Sequence, residues 1–551
     1  MRSARTAVAG LAPALALALA ACGGADPGST GGSDNSPAGE PRSGGTLTVA
    51  YPEDPGCWDF QNGQGATLVP IQRNLFDGLV HQAQNGDIVP WLAESWDISE
   101  DGTSYTFRLR TDVTFSDGTP LDAEAVKTSF DRLTSEETAS RSYAGNFPYA
   151  GAEALDDHTV RIDLSEPHAP FLQIAASPGG AILSPAAAAH DVETLCGGGE
   201  LLVGSGPFVV ADYAPNDHIT LTRNPDYAWP PEGSGHEGPA YLDEVTFTFL
   251  NESSVRIGAL TSGQVDYAYD IAPADYNALP EGEYTKLKAL NAGSPDLWLL
   301  NTSRAPFDDP DVRTALLRGI DIGTIIDTIY QGTDERAWSV LTPDTPYYDA
   351  GLENSWPHDP DLAEELLDEA GWTERDGDGY RVRDGERLSA RWLINGDSAD
   401  TLDTTLAEAL QEAAKRIGVE VVLETVDAGT FAERGEANDY EIVRQGTNRA
   451  EAHILGSNLF SSWALPENRL HNYARVQDPQ VDEWLLAAST TTDDDIRARN
   501  YAEVQRWVLD NAVAVPLQVR AWLGATGSRV HDVTYDIVGF PELLYDTWIE
   551  E

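Results

Sequence analysis

Polar and apolar residues alternate along Thr46-Leu47-Thr48-Val49-Ala50-Tyr51, the first patterned stretch after a run of small and polar residues. A period of two with β-branched types predicts a strand with one buried face. Residues 104–110 (SYTFRLR) repeat the pattern. Between such runs stand Asn85-Gly86-Asp87, Glu100-Asp101-Gly102 and Ser116-Asp117-Gly118, residue types that tolerate tight turns. From Thr119-Pro120-Leu121-Asp122 the spacing turns helical and runs to about Leu133. Strand and helix patterns keep alternating along the chain, which predicts layered α/β architecture.

The N-terminal segment is patterned differently. Arg2 and Arg5 precede apolar residues 11–21, interrupted only by Pro13. A bilayer helix needs roughly 20 apolar residues, so this run has the proportions of a signal-peptide core instead. It ends in Leu19-Ala20-Ala21-Cys22, which is similar to a bacterial lipobox, where the cysteine is acylated after cleavage just before it. Residues 1–21 are therefore expected to be a lipoprotein signal peptide and Cys22 the lipidated residue. An ordinary secretory signal with a chance cysteine is the alternative. Residues 23–45 hold no apolar side chain larger than Ala or Pro and cannot offset the entropy of ordering, so residues 22–45 read as lipidated cysteine plus flexible tether. The expected location is extracytoplasmic, lipid-anchored to the cell membrane.

Composition narrows the class. A body of about 500 residues exceeds what one hydrophobic core serves, so at least two lobes are expected. The net charge of −55, with lysine only at 127, 286, 288 and 415, repels phosphate backbones and argues against nucleic-acid partners. This acidity reflects either the surface composition of the source organism or attraction for cationic solutes. With Cys22 assigned to lipid, Cys57 and Cys196 are an even pair in an oxidising compartment, and a disulfide between them is expected; two buried free thiols are the alternative.

The stretch GDIVPWLAESWDISEDGTSYTFRLRTDVTFSDGTPLDAEAVKTSFDRL, ending at Leu133, resembles the signature of the family-5 extracellular solute-binding proteins, the peptide and nickel group of ABC importers. Further segments are similar in the same order: Gly204-Ser205-Gly206-Pro207-Phe208, Arg223-Asn224-Pro225-Asp226-Tyr227, PAYLDEVTFTFL at residues 239–250, and Leu260-Thr261-Ser262-Gly263-Gln264-Val265-Asp266. Trp298-Leu299-Leu300-Asn301-Thr302, Val312-Arg313-Thr314-Ala315-Leu316 and DPDLAEELLDEAGW at residues 359–372 extend the likeness over most of the chain. The resemblance implies an α/β, two-lobed periplasmic-binding-protein-like fold of class C type. Lobe I would comprise residues 46–290 plus 518–551, with an extra β-rich subdomain inserted at about 91–199. Lobe II would be residues 291–517, and hinged lobes would enclose the ligand.

No catalytic set emerges. The ten histidines form no HExxH pair, and neither a G-x-S-x-G elbow nor a P-loop lysine is present. Glu374-Arg375-Asp376-Gly377-Asp378-Gly379 resembles a calcium loop only at its start, because position twelve falls on Gly385, and it reads as a hairpin turn. The chain is read as a binding protein and not an enzyme, with no cofactor and no resident metal.

Peptide-binding relatives pair an acidic residue of lobe II with the ligand's α-ammonium. The matching stretch here, residues 442–455 (IVRQGTNRAEAHIL), carries Glu451-Ala452 where related sequences often have Asp-Pro. By that resemblance Glu451 is the expected ammonium partner and Arg449 the carboxylate partner. Trp58, Phe60, Trp298, Asn301 and Trp463 are the expected lining, since rigid rings bury area at little entropic cost. The implied function is capture of a small solute, foremost a peptide, for delivery to an ABC permease by a monomeric protein. A metal chelate such as a nickel complex is the second reading, and a sensor that feeds no transporter the third.

Overall fold

A computed structural model describes residues 40–62, 67–135, 138, 147–468, 470–541 and 543–550. The signal segment, Cys22 and nearly all of the tether lie outside the described residues.

Lobe I is built on a seven-stranded sheet in the order Tyr284–Leu290, Ala521–Gly527, Tyr267–Tyr269, Thr46–Tyr51, Glu244–Phe249, His218–Arg223, Phe208–Ala214. Strand Thr46–Tyr51 is central and pairs in parallel on both sides. Its alternation is legible in the burial: Leu47 and Val49 enter the larger core, whereas Ala50 faces the opposite side, against Ala259 and Leu260 of helix Ser253–Thr261. Both faces of the sheet are covered. A four-stranded antiparallel sheet, Ala93–Ile98, Ser104–Leu109, Thr159–Leu164 and Tyr149–Asp156, forms the subdomain. Helix Ala123–Leu133 begins where the Asp122 side chain accepts from Ala125 N (2.8 Å), an N-cap that satisfies one orphan donor.

Lobe II contains a six-stranded sheet ordered Glu335–Arg336, Ala514–Val519, Gly293–Leu300, Ile442–Asn448, Ser389–Asn395, Glu420–Val426. Along Gly293–Leu300, Trp298 and Leu300 enter one core and Leu297 and Leu299 the other. The segment likened to a calcium loop is a hairpin, with Glu374–Arg375 paired to Arg381–Arg383 and the Asp376 and Asp378 carboxylates both held by Arg387.

The chain passes between lobes at residues 291–292 and at Arg520. These connections are joined, Asn291 N donating to Arg520 O at 3.0 Å. The lobes also touch at the rims of the space between them. Gln82 Nε2 donates to Ala450 O (2.9 Å), and Ala169 N donates to Ser489 O (2.7 Å). Just past the first connection, Gly293 has φ +118° and lies so close to the Thr447–Arg449 backbone that a Cβ would stand 2.2 Å from Thr447 O. Only glycine lets the two strands approach there.

Candidate functional site

A cavity of about 420 Å³ opens between the lobes, beside the two connections. Lobe I supplies Val69 and Arg73 at helix Val69–Gln72, and Gln173 and Ser177 at helix Phe171–Ala176. Lobe II supplies the end of strand Ile442–Asn448 and the Arg449-Ala450-Glu451 turn that follows it. Arg520, Trp522 and the Asp536-Ile537-Val538 loop close the back.

Strand Ile442–Asn448 is paired along most of its length with Gly293–Leu300, but its pairing with Ser389–Asn395 involves only Ile442 and Val443. Among the described residues, 444–448 therefore present one edge without a neighbouring strand. Such an edge can accept an extended chain through main-chain hydrogen bonds.

The ionic groups of the walls are ordered in pairs. Glu451 is buried, with 2% of its surface exposed. Its Oε1 accepts from Arg497 Nη2 (3.0 Å) and from His453 N (2.9 Å), while Oε2 has no hydrogen-bond partner among the described residues. Burial lowers the Arg497 guanidinium, but Glu451, Tyr501 and Tyr347 together outweigh it and raise it above its ordinary value. Arg497 is further fixed by Tyr347, whose hydroxyl accepts at 3.1 Å and whose ring lies 4.9 Å from the guanidinium carbon. Across the cavity Arg73 pairs with Asp536 at 2.8 Å. Behind the wall, the Arg520 that lines the cavity shares Asp403 (3.1 Å) with Arg444 (2.6 Å); burial pushes the Asp403 carboxyl up, and those two cations hold it below the ordinary range. Asp296 accepts from Gln518 Nε2 at 3.1 Å. The walls thus carry Arg73, Arg449 and Arg520 against Asp296, Glu451 and Asp536, a balanced set within a chain of net charge −55.

Of the residues expected at the ligand, Glu451 and Arg449 line this cavity. The other five do not, and packing gives the reason. Trp58 is buried beneath Tyr213 (ring centroids 5.2 Å) beside the bonded cysteines. Phe60 packs on Phe76 in the lobe I core (4.6 Å). Trp298 turns into the lobe II core against Trp392 (4.9 Å). Asn301 is a structural staple, its Nδ2 donating to Tyr440 O (2.9 Å) and Asn438 Oδ1 (2.7 Å). Trp463 is 40% exposed, away from the cavity. Cys57 and Cys196 are joined by a disulfide, Cα–Cα 4.1 Å. Cys22 lies outside the described residues. Sequence reasoning missed Arg73, Asp296, Arg520 and Trp522. Arg520 is the second interlobe connection and Trp522 follows it two residues on, and that position was the available signal.

Two α/β lobes joined by paired connections, with a polar cavity between them, define a solute-binding protein. Residues 87–459 match the family model described as bacterial extracellular solute-binding proteins, family 5 Middle, and the chain belongs to that family. Its members bind solutes outside the cytoplasm and serve ABC importers; they are not enzymes. The chain is 28% identical over 462 residues to the glutathione-binding protein of Escherichia coli strain K12, covering 83% of this chain and 85% of that one. It is 28% identical over 492 residues to di/tripeptide-binding protein 1 of Pseudomonas aeruginosa, covering 85% and 87%. The structure of NikA from Brucella suis in complex with Fe(III)-EDTA superposes with TM-score 0.81 at 25% identity, covering 92% of this chain and all of that one.

Proposed function

We propose that the solute is a short peptide held between the lobes in extended form, and that the chain delivers it to an ABC permease as a lipid-anchored monomer. The observation that carries this reading is Glu451: a buried carboxylate with one oxygen fixed by Arg497 and the other unpartnered, at the end of an unpaired strand edge. An α-ammonium supplies the missing donors, the peptide backbone pairs along residues 444–448, and Arg449 meets the C-terminal carboxylate. The glutathione- and di/tripeptide-binding relatives support the same class of ligand. Closure about residues 291–292 and 520 would then remove the peptide from water, driven by its higher affinity for the closed state. A metal chelate is the second reading, favoured by three arginines on the cavity wall and by the likeness to NikA, whose structure holds Fe(III)-EDTA.

Native mass spectrometry of protein purified gently from its own host, before and after denaturation, tests the ligand class. Peptide masses on release are the expected result; a single chelate mass would move the assignment to the second reading. Glu451→Gln is expected to weaken binding of the released peptides by about 1.5–3 kcal/mol in calorimetry, the range for a hydrogen bond to a charged group. Unchanged affinity would remove Glu451 from the site. Cys22→Ala is expected to shift the protein from the membrane fraction to the soluble one, and an unchanged distribution would exclude the anchor.

A further inference from the structure

His168 and His453 meet where lobe I touches lobe II. His168 lies between strand Thr159–Leu164 and helix Phe171–Ala176 of lobe I, and His453 follows Glu451 in lobe II. Their ring centroids are 5.2 Å apart and the planes cross at 82°. Both rings are buried, and neither His168 Nε2 nor His453 Nδ1 has a hydrogen-bond partner among the described residues. Ala169, next to His168, donates its N–H across to Ser489 O at 2.7 Å, so the ring contact belongs to a direct bridge between the lobes. On the lobe II side the charged neighbours are Arg497 and its partner Glu451. On the lobe I side the Tyr105 hydroxyl donates to His168 O (3.1 Å), and Glu100 and Asp101 line the outer groove that His168 also lines.

We propose that His168 and His453 form a pH-sensitive clasp, holding the lobes closed while both rings are neutral and letting them part when the rings take up protons. In the closed interface a proton on either ring is buried beside Arg497, and a second one sets two like charges in contact. The charged groups that act on the rings are Arg497 on both and His168 on His453, and all of them disfavour a proton there. Parting the lobes returns both rings to water. Burial first, and then Arg497, lower His168 to about 4. Burial, His168 and Arg497 together lower His453 well below its ordinary value.

The sign follows from proton counts. The open form, with imidazoles near 6.5, binds more protons than the closed form, so closure strengthens as pH rises from about 4 to about 6.5 and is level above that. His168 alone then weakens closure roughly thirtyfold at about pH 5 relative to about pH 8. The clasp does not depend on which solute fills the cavity. Gln173, five residues after His168, and Glu451, two before His453, both line that cavity, so opening the clasp opens the site.

The test traps the closed form without any ligand. Ala169→Cys and Ser489→Cys are introduced into the otherwise full chain carrying Cys22→Ser, and the rate of interlobe disulfide formation under an added oxidant is followed against pH. Thiol chemistry has its own pH dependence, which an H168Q/H453Q background carrying the same cysteines removes by division. The expected result is a rate ratio, native histidines over glutamines, that falls at least tenfold between about pH 8 and about pH 5. A ratio independent of pH overturns the proposal. If the glutamine background does not fold, imidazole proton resonances of the trapped native-histidine chain decide: His168 stays neutral down to about pH 5, and a midpoint near the ordinary 6.5 overturns the clasp.

Discussion

Arg497→Met is expected to lower the stability of the protein by about 3–5 kcal/mol, the cost of leaving one partner of a buried pair uncompensated. Both partners are desolvated, with side-chain exposure of 7% for Arg497 and 3% for Glu451, so solvent screens the pair little. Removing the guanidinium leaves Glu451 Oε1 with only the His453 N–H and takes the flat cation from the face of Tyr347. Denaturant unfolding measures the loss. The double variant Arg497→Met with Glu451→Gln should recover a large part of it, because the unpaired charge disappears with its partner. Equal stability of the single variant and the parent would show that the pair is better hydrated than its burial indicates. Binding should fall in the same single variant, since the guanidinium is what aims the carboxylate.

The second large effect concerns the bond between Cys57 and Cys196. Its sequence separation of 139 encloses the four-stranded subdomain. On the chain-entropy account a closed loop of this length restricts the unfolded state by about 5 kcal/mol, and measured losses for such bonds are about 2–5 kcal/mol. Cys57→Ser with Cys196→Ser should therefore shift the unfolding midpoint strongly downward, and reductant should do the same to the parent. The anchors are rigid, Trp58 N donating to Cys196 O at 3.3 Å and the Trp58 ring packing on Tyr213. Coincident unfolding curves with and without reductant would contradict this expectation.

The layered α/β fold was readable because alternation and turn residues are local signals. Thr46–Tyr51 and the Asp122 cap are each specified by side chains within a few positions. The site was readable only in part. Glu451 and Arg449 stood out because a resemblance marks their segment. Asp296 and Trp298 show why the rest did not. They lie two apart on one strand, where strict alternation puts them on one face, yet Asp296 lines the cavity and Trp298 enters a core. The register slips between Asp296 and Leu297, and that irregularity redirects the side chains. Trp58, Phe60 and Trp298 misled for a related reason. In lobes whose sheets are covered on both faces, most large rings are needed as packing, so an aromatic near a connection is weak evidence of a lining residue. Arg73 and Asp536 pair across almost the whole chain, and no local pattern announces such a contact.

Strand Ala521–Gly527 lies between Tyr284–Leu290 and Tyr267–Tyr269 in the lobe I sheet, although it is synthesised more than 200 residues after either. The ribosome therefore completes lobe II before lobe I can close. Until then Tyr267–Tyr269 and Tyr284–Leu290 each wait with an open edge and nothing to join them. A message truncated ahead of this strand would yield a finished lobe II attached to a divided sheet, whose exposed edges invite pairing with other chains. Export meets the same constraint, because Tyr267–Tyr269 and Tyr284–Leu290 cross well before the strand that joins them.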